Sequence, residues 1–259
     1  MKMNKIKKRE IIFLVAVLIF IYLPIFSTIL FSFNEAKSFT RFTGFSLKWY
    51  QELFESKNIS NVITTTLFIA IVATIISTIL GTFAAIALSK NRKSLRNIIL
   101  TANNIPVVNP EIVTAVGLSI TFIFFKIDRG LFTVLLAHIS FCIPYVIITV
   151  YPKVMALDPN IYDAAIDLGA TPNKALKKVI LPQLKGAIIA AAAISFTMSF
   201  DDFIISYLSG GTNVKNISIY LYNLKRVDLT INALSTFIFL FIMIVVLIKI
   251  FIKNKKEED

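Results

Sequence analysis

Six long apolar runs divide the chain, with shorter polar segments between them. They lie at 11–33, 62–88, 98–125, 131–151, 186–208 and 231–252. Each has about 20 residues or more, which is the length that a helix needs to cross the hydrocarbon core of a bilayer. The third run is interrupted by Pro106 and Pro110, which cannot continue a regular helix. The pattern predicts an all-α integral membrane protein with six transmembrane helices, the third of which is broken.

A new half-helix is expected after this break. Asn109 and Pro110 have the residue types of a helix cap and a first helical position, and Glu111 is then well placed in the first turn. Glu111 could instead line a solute path, because ionisable residues within membrane helices usually face a cavity or a partner. Capping is the preferred interpretation.

The basic residues are distributed unequally between alternate connections. Of the 27 Lys and Arg residues, 18 fall in 1–10, 89–97, 152–185 and 249–259, and the other 9 fall in 34–61, 126–130 and 209–230. Basic residues are enriched on the cytoplasmic side of membrane proteins, so both termini and the 152–185 connection are expected in the cytoplasm. The net charge of +12 is then a consequence of topology and does not indicate binding to nucleic acid.

The polar loop at 157–184 separates two apolar runs and is unusually long. Its sequence predicts two short helices. Asp158 can cap the first helix, Pro159 fits its first position and Gly169 can end it. The apolar face of this helix has two small residues at its centre and consists of Ile161, Ala164, Ala165 and Leu168.

The second helix of the loop is expected to start at Thr171 and Pro172, which repeat the cap-and-start signal. Leu181–Pro182 is expected to close the loop before the fifth apolar run. The apolar stripe between these points consists of Leu176, Val179 and Ile180, and the lysines mostly off it are Lys174, Lys177 and Lys178. These patterns alone leave two interpretations open, in which the loop either docks on a partner or folds against its own bundle.

The segment "DAAIDLGATPNKALKKVILP" resembles the EAA motif of ABC importer permeases. Two positions depart from that motif, with Asp163 in place of Glu and Val179 in place of Ile, and both keep the charge or the shape. In that family the loop forms a coupling helix that docks on a separate ATPase subunit. The resemblance therefore assigns ATPase coupling to Asp163, Ala164, Ala165, Gly169, Val179, Leu181 and Pro182.

Two further segments, "GFSLKWYQELF" and "SFTMSFDDFIISYLSGG", resemble the spermidine/putrescine permeases, and the resemblance covers nearly the whole chain. It implies the type I ABC importer permease fold in a bacterial cell membrane. The domains would be an N-terminal helix and external segment at 1–60, a transmembrane domain at 61–252 and a charged cytoplasmic tail at 253–259. The implied partners are an ABC ATPase, a second, PotB-like permease subunit and an extracytoplasmic polyamine-binding protein.

The fifth run has a polar face that the apolar pattern does not explain. On a continuous helix, Ser195, Ser199, Asp202 and Ser206 share one stripe because their spacings are 4, 3 and 4. Fixed carboxylates would lower the cost of dehydrating a polyamine. The predicted substrate pathway consists of Ser195, Ser199, Asp201, Asp202 and Ser206, with Asp202 preferred over Asp201. Alternatively, both carboxylates lie near the outer surface and reach water.

Catalytic motifs are absent from the sequence. It contains no GxxxxGK[ST] loop, so ATP hydrolysis is expected in another polypeptide. It contains no HExxH motif either, and His138 lies alone in the fourth run, where an interhelical hydrogen bond is its expected role. No cofactor or metal is predicted. The alternatives to a polyamine permease are a permease of the same class for another small solute and an ion-coupled secondary transporter.

Overall fold

The computed structural model describes residues 8–224 and 228–258, with side chains described for 9–224 and 228–244. Regular structure in these ranges is helical, apart from an isolated antiparallel bridge between Asn34 and Phe45. The chain forms two compact units, one made of 1–60 with 224–259 and the other of 61–223. The helices are α1 (Lys8–Ser32), α2 (Lys48–Glu55), α3 (Lys57–Ser89), α4 (Lys93–Val108), α5 (Glu111–Phe124), α6 (Leu131–Met155), α7 (Asn160–Asp167), α8 (Pro172–Ala175), a π turn (Leu176–Ile180), α9 (Leu181–Phe200), α10 (Ile204–Gly210), α11 (Ile217–Tyr222) and α12 (Leu229–Glu258).

The first unit is organised around α12, which packs against α1 and α2. The buried Trp49 of α2 donates its indole N–H to the carbonyl of Asn34 at 2.6 Å, which ties this helix to the preceding loop. Lys37 Nζ pairs with Asp228 Oδ2 at 2.8 Å. Partial burial alone would raise the pKa of Asp228, but this bond from Lys37 and nearby backbone N–H groups lower it overall.

The second unit is built on the packing of α6 along α9, with α10 against α5 and α6. Its interior is apolar, and Val146, Val150 and Leu184 are among its fully buried residues. Helix α3 joins this core closely at Gly81, because a Cβ atom there would lie 2.6 Å from Val146 Cβ. A glycine is required at this crossing because the neighbouring side chain occupies the space of any larger residue.

Membrane-spanning helices are confirmed for most of the predicted runs. Four helices are long and apolar enough to span, and α4 with α5, which are bent by 107° relative to each other, make a fifth if the pair is one broken span. The predicted break is therefore confirmed, although α4 continues through Pro106 and the bend falls at 109–110. The predicted cap at Asn109 is wrong by one residue, because Pro110 occupies the cap position and no side chain caps α5. The sixth run falls on α12, whose described apolar part is Leu229–Ile244, so the count of six stays a prediction.

Two boundaries of the fifth run differ from the sequence prediction. The run is not one helix over 186–208, because α9 ends at Phe200 and α10 begins at Ile204. Leu181–Pro182 does not close the preceding loop, because the helix that begins at Pro172 continues without interruption into α9. Both differences arise from local hydrogen bonding, which is described below.

Candidate functional site

The first helix of the 157–184 loop ends as its sequence predicts and begins one residue later than predicted, because α7 starts at Asn160 with Pro159 at the cap position. Asp158 Oδ1 accepts a hydrogen bond from the Asn160 N–H at 2.9 Å, which satisfies a donor in the first turn of α7. The helix ends in a Schellman motif, in which Gly169 N–H donates to Ile166 O at 2.8 Å and Ala170 N–H donates to Ala165 O at 3.0 Å. Gly169 has φ +83°, a conformation that favours glycine. The corner between the two loop helices is therefore fixed by backbone geometry.

The second loop helix reaches the membrane span through a π turn. Thr171 precedes α8 in an extended conformation and Pro172 is the first helical residue, which confirms the predicted start. Leu181 N–H then bonds to Leu176 O, five residues back, which widens the helix just before Pro182. Proline lacks an N–H and clashes with the carbonyl four residues earlier, so the wider turn lets the chain pass through Pro182. The sequence predicts the end of a helix at Leu181–Pro182, because residue types do not show that a π turn lets the helix continue through the proline.

The loop has an inner side packed on its own unit and an outer side exposed to the surroundings. Ile161 and Leu176 pack against the core that contains Val150 and Leu184. Leu168 is 89% exposed, although it belongs to the same predicted face as Ile161. Of the predicted coupling residues, Asp163, Ala164, Gly169 and Pro182 are exposed and Ala165, Val179 and Leu181 are partly buried. The loop therefore folds against its own bundle on its inner side, and docking of its exposed side on a partner stays a prediction.

A buried polar network surrounds His138 of α6. The imidazole is 1% exposed, with Nδ1 2.7 Å from Ser199 Oγ and Nε2 2.9 Å from Ser206 Oγ. Nε2 also lies 3.2 Å from Asp202 Oδ2, whose side chain is fully buried. The predicted interhelical hydrogen bond of His138 is therefore confirmed. We call His138, Ser199, Asp202, Ser206 and Asn216 the His138 cluster.

Asp202 also explains why α9 and α10 are separate helices. Its Oδ1 accepts the Ile205 N–H at 3.1 Å and its Oδ2 accepts the Ser206 N–H at 2.8 Å. The carboxylate thus satisfies free N–H groups at the start of α10, as capping residues do. Asp202 cannot do this from within a continuous helix, because those N–H groups would be bonded to backbone carbonyls.

Asn216 connects the cluster to α11 and α3. Its side-chain amide donates to Asp202 O at 3.0 Å and to Ser206 Oγ at 2.9 Å, and its Oδ1 accepts the Ile219 N–H at 2.8 Å. The next residue, Ile217, donates its N–H to Thr66 Oγ1 at 2.8 Å. Asn216 was not predicted as a functional residue, although an Asn directly before an apolar helical segment is a cap signal.

The hydrogen-bond geometry indicates which ring nitrogen carries the proton. Asp202 and Ser206 both lie at Nε2, and an ionised carboxylate can only accept, so an N–H at Nε2 satisfies Asp202. Nδ1 then accepts from the Ser199 hydroxyl. In this arrangement both nitrogens of His138 are satisfied.

The predicted pathway residues separate into a buried set and an exposed one. Ser195, Ser199, Asp202 and Ser206 are each at most 3% exposed, whereas Asp201 is exposed at the end of α9. The geometric reason for preferring Asp202 over Asp201 is therefore wrong, because that reason assumed a continuous helix. Asp201 is held through its backbone, since the Ser218 hydroxyl donates to its carbonyl at 3.2 Å.

Glu111 approaches these carboxylates from α5. It lies in the first turn of that helix, as predicted, and is exposed. It also interacts with both Asp202 and Asp201, which places three acidic residues together. The breaks in the third and fifth runs are therefore close together in the fold. The sequence around either break does not predict this proximity.

The profile of the family described as "Binding-protein-dependent transport system inner membrane component" matches residues 77–254, which include the loop and the His138 cluster. The chain belongs to this family. It is accordingly a multi-pass membrane protein and the permease component of an ABC importer.

Named members of the family cover most of the chain. The Escherichia coli K12 spermidine/putrescine permease PotC is 30% identical over 226 residues, which are 86% of each chain. The Haemophilus influenzae PotC is 32% identical and aligns over 86% of this chain and 88% of its own. The Escherichia coli K12 putrescine permease PotI is 33% identical and aligns over 85% of this chain and 81% of its own.

Solved structures support the permease fold. A chain of a bacterial ABC transporter involved in the import of the acidic polysaccharide alginate matches with a TM-score of 0.71 and 15% identity, covering 98% of this chain and 99% of that chain. A chain of an amino acid ABC transporter with histidines matches with a TM-score of 0.56 and 20% identity, covering 79% of this chain and 95% of that chain. At these identities the likeness concerns the fold alone.

Proposed function

We propose that this permease forms half of the transmembrane pathway of an ATP-driven importer for polyamines. The observation that carries the proposal is its identity of 30–33% with PotC and PotI over most of the chain, since both are named for spermidine or putrescine transport. The fold does not decide the solute, because a chain of similar fold belongs to a transporter of an acidic polysaccharide.

The pathway carboxylates that we propose are Asp201 and Glu111, with the His138 cluster as their support. Both side chains are exposed, and they lie close enough to interact. An ammonium group that leaves water needs anionic partners, and a partly desolvated site strengthens that attraction. Asp202, Ser195, Ser199 and Ser206 then hold the α9–α10 break in place from within the subunit.

The 157–184 loop is the proposed joint to the ATPase. Its exposed side carries Asp163, Ala164 and Leu168 next to the rigid corner at Gly169, and its inner side is anchored to the core. Small side chains on an exposed helix permit close approach by a partner, while a rigid corner can transmit a displacement. The loop and both termini would then be cytoplasmic, in keeping with the distribution of basic residues.

The proposed complex contains further subunits. ATP hydrolysis would occur in a separate ABC ATPase, because the chain has no phosphate-binding loop. A second, PotB-like permease subunit would complete the pathway, and a polyamine-binding protein would deliver the solute from outside. The chain itself would be non-catalytic.

Uptake of radiolabelled spermidine and putrescine tests this function. The genes of the chain, the second permease subunit, the ATPase and the binding protein would be expressed in cells that lack polyamine uptake. We expect uptake that requires a catalytically competent ATPase. Uptake that persists without the ATPase would favour the ion-coupled alternative, for which the two helix breaks at 109–110 and 201–203 are a structural argument.

Asp201→Asn tests the pathway assignment in the same cells. We expect uptake at low amine concentration to fall about tenfold, equivalent to ~1.4 kcal/mol, because the variant loses one negative charge without losing shape. Asp128→Asn is the matched control, since Asp128 is an exposed acid elsewhere in this unit. Uptake is normalised to the complex present in the membrane. Normal uptake by Asp201→Asn would contradict the assignment.

A further inference from the structure

A cavity of about 500 Å³ lies behind the 157–184 loop, between that loop and the ends of α3 and α6. Its inner wall is apolar and includes Phe83, Ile86, Val154 and Ile180. This volume is in the range of ligand-binding pockets in proteins. The loop residues Tyr162 and Leu176 form its other wall, so any occupant would contact both helices of the loop.

The cavity lies where the apolar spans meet the polar loop. Helices α3 and α6 are membrane spans that end at Ser89 and Met155, and the cavity opens where both end. Its apolar wall therefore belongs to the spans, whereas its loop side includes the polar residues Asp158 and Asn173. A ligand that fits must have an apolar body and a polar end.

The lining contains one basic residue, Lys90, and one acidic residue, Asp158. Lys90 Nζ lies 3.7 Å from the centroid of the Tyr162 ring and has no carboxylate within 4 Å among the side chains that the structure describes. The acidic residue in the lining is Asp158, whose Oδ1 is engaged by the N–H groups of Asn160. The basic residues Arg92 and Lys93 come after Asn91 in the chain and do not line the cavity. The ammonium group of Lys90, which has no ion-pair partner among the described side chains, attracts an anion and repels a polyamine.

We propose that this cavity binds an anionic phospholipid, with an acyl chain against the apolar wall and the phosphate at Lys90. A soluble anion would leave that wall unfilled, whereas the bilayer supplies a ligand with both parts at this depth. Basic pockets between membrane helices are known to attract anionic head groups. The lipid would pack against α7 and the π turn and so support the loop from behind.

Photolabelling tests the site in the intact assembly. The full chain, purified with its partner subunits, is placed in phosphatidylcholine nanodiscs that contain phosphatidylglycerol or phosphatidylcholine with a diazirine on the acyl chain. We expect the phosphatidylglycerol probe to label residues 83–90 and 176–180 more strongly than the phosphatidylcholine probe does. Lys90→Gln should lower labelling by phosphatidylglycerol about fivefold, as expected for loss of one basic residue at an anionic head group.

Two further variants make the result specific. Lys93→Gln removes an exposed basic residue that does not line the cavity, so its labelling should not change. Ala87→Phe fills the cavity and should abolish labelling by both probes.

Equal labelling by the two probes, or no effect of Lys90→Gln, would overturn the proposal, because both indicate ordinary boundary lipid. No labelling in an intact complex would also overturn it, since a partner subunit would then fill the space. The lipid proposal rests on the proposed function only in taking the 157–184 loop as the joint to the ATPase. Labelling by the lipid probes does not require amine uptake, so either proposal can fail while the other holds.

Discussion

At the scale of residues, a buried hydrogen-bond network decides the backbone path around Asp202. The carboxylate is removed from water, which is unfavourable unless charge and hydrogen bonds compensate it. His138 and the N–H groups of Ile205 and Ser206 provide that compensation. The neighbouring Asp201 is left exposed as a result.

Replacement of His138 tests this compensation. His138→Leu leaves a buried carboxylate without its imidazole partner, so we expect the assembled protein to be destabilised by about 3–5 kcal/mol. His138→Gln keeps a side-chain N–H near Asp202 and should cost less. The measurement is thermal unfolding of the purified complex in detergent.

A double variant separates loss of the hydrogen bond between His138 and Asp202 from loss of packing. In His138→Leu with Asp202→Asn, the buried charge is absent, so part of the stability should return. If the double variant is as unstable as the sum of both single variants, His138 acts by packing alone.

At the scale of elements, the corner at Gly169 shows how backbone geometry and packing can be distinguished. A Cβ at Gly169 would meet no atom within 4 Å, so only the φ of +83° resists substitution. Gly186 also has open space around it but lies within α9 with no positive φ. Substitutions at Gly169 and Gly186 therefore differ only in the backbone strain that a side chain causes at Gly169.

Gly169→Ala should cost about 1–2 kcal/mol in the loop conformation, because an L-residue is strained in the left-handed region. Gly186→Ala should be neutral or stabilising, since it reduces the freedom of the unfolded chain. We expect Gly169→Ala, and more strongly Gly169→Val, to weaken co-purification of the ATPase and its stimulation by solute-loaded binding protein. Normal values for both variants would argue against the loop as the joint.

The sequence predicted elements where the signal is local. The two loop helices, their Gly169 corner and the break near Pro110 depend on residues within a turn of each other, and all three are confirmed. The α9–α10 break was missed because the partners that hold the capping residue Asp202 in the interior are distant: His138 lies more than sixty residues before it, and Asn216 belongs to a later segment. Periodicity within one run cannot register such partners.

At the scale of the whole molecule, the distribution of charge predicts which connections face the cytoplasm. The helical spans alone do not predict this orientation. Spans alternate direction, but nothing in their apolar composition says which end faces the cytoplasm. The excess of Lys and Arg in 89–97 and 152–185 supplies that information.

Reporter fusions test the orientation. Fusions after Arg92 and after Asp167 should give a cytoplasmic signal, and fusions near Glu55 and Asn213 an external one. A cytoplasmic signal at Asn213 would mean that the fifth run does not cross the membrane, which would contradict the predicted topology.

The π turn before Pro182 has a mechanical consequence. Because it joins α8 to α9 without a gap, residues 172–200 form a single rod of 29 residues, about 43 Å long at 1.5 Å per residue. The Gly169 corner lies just before one end of this rod and Asp201 lies just after the other. A rotation of the rod about its axis therefore turns both ends through the same angle, and insertion of one residue at the π turn would offset them by about 100°.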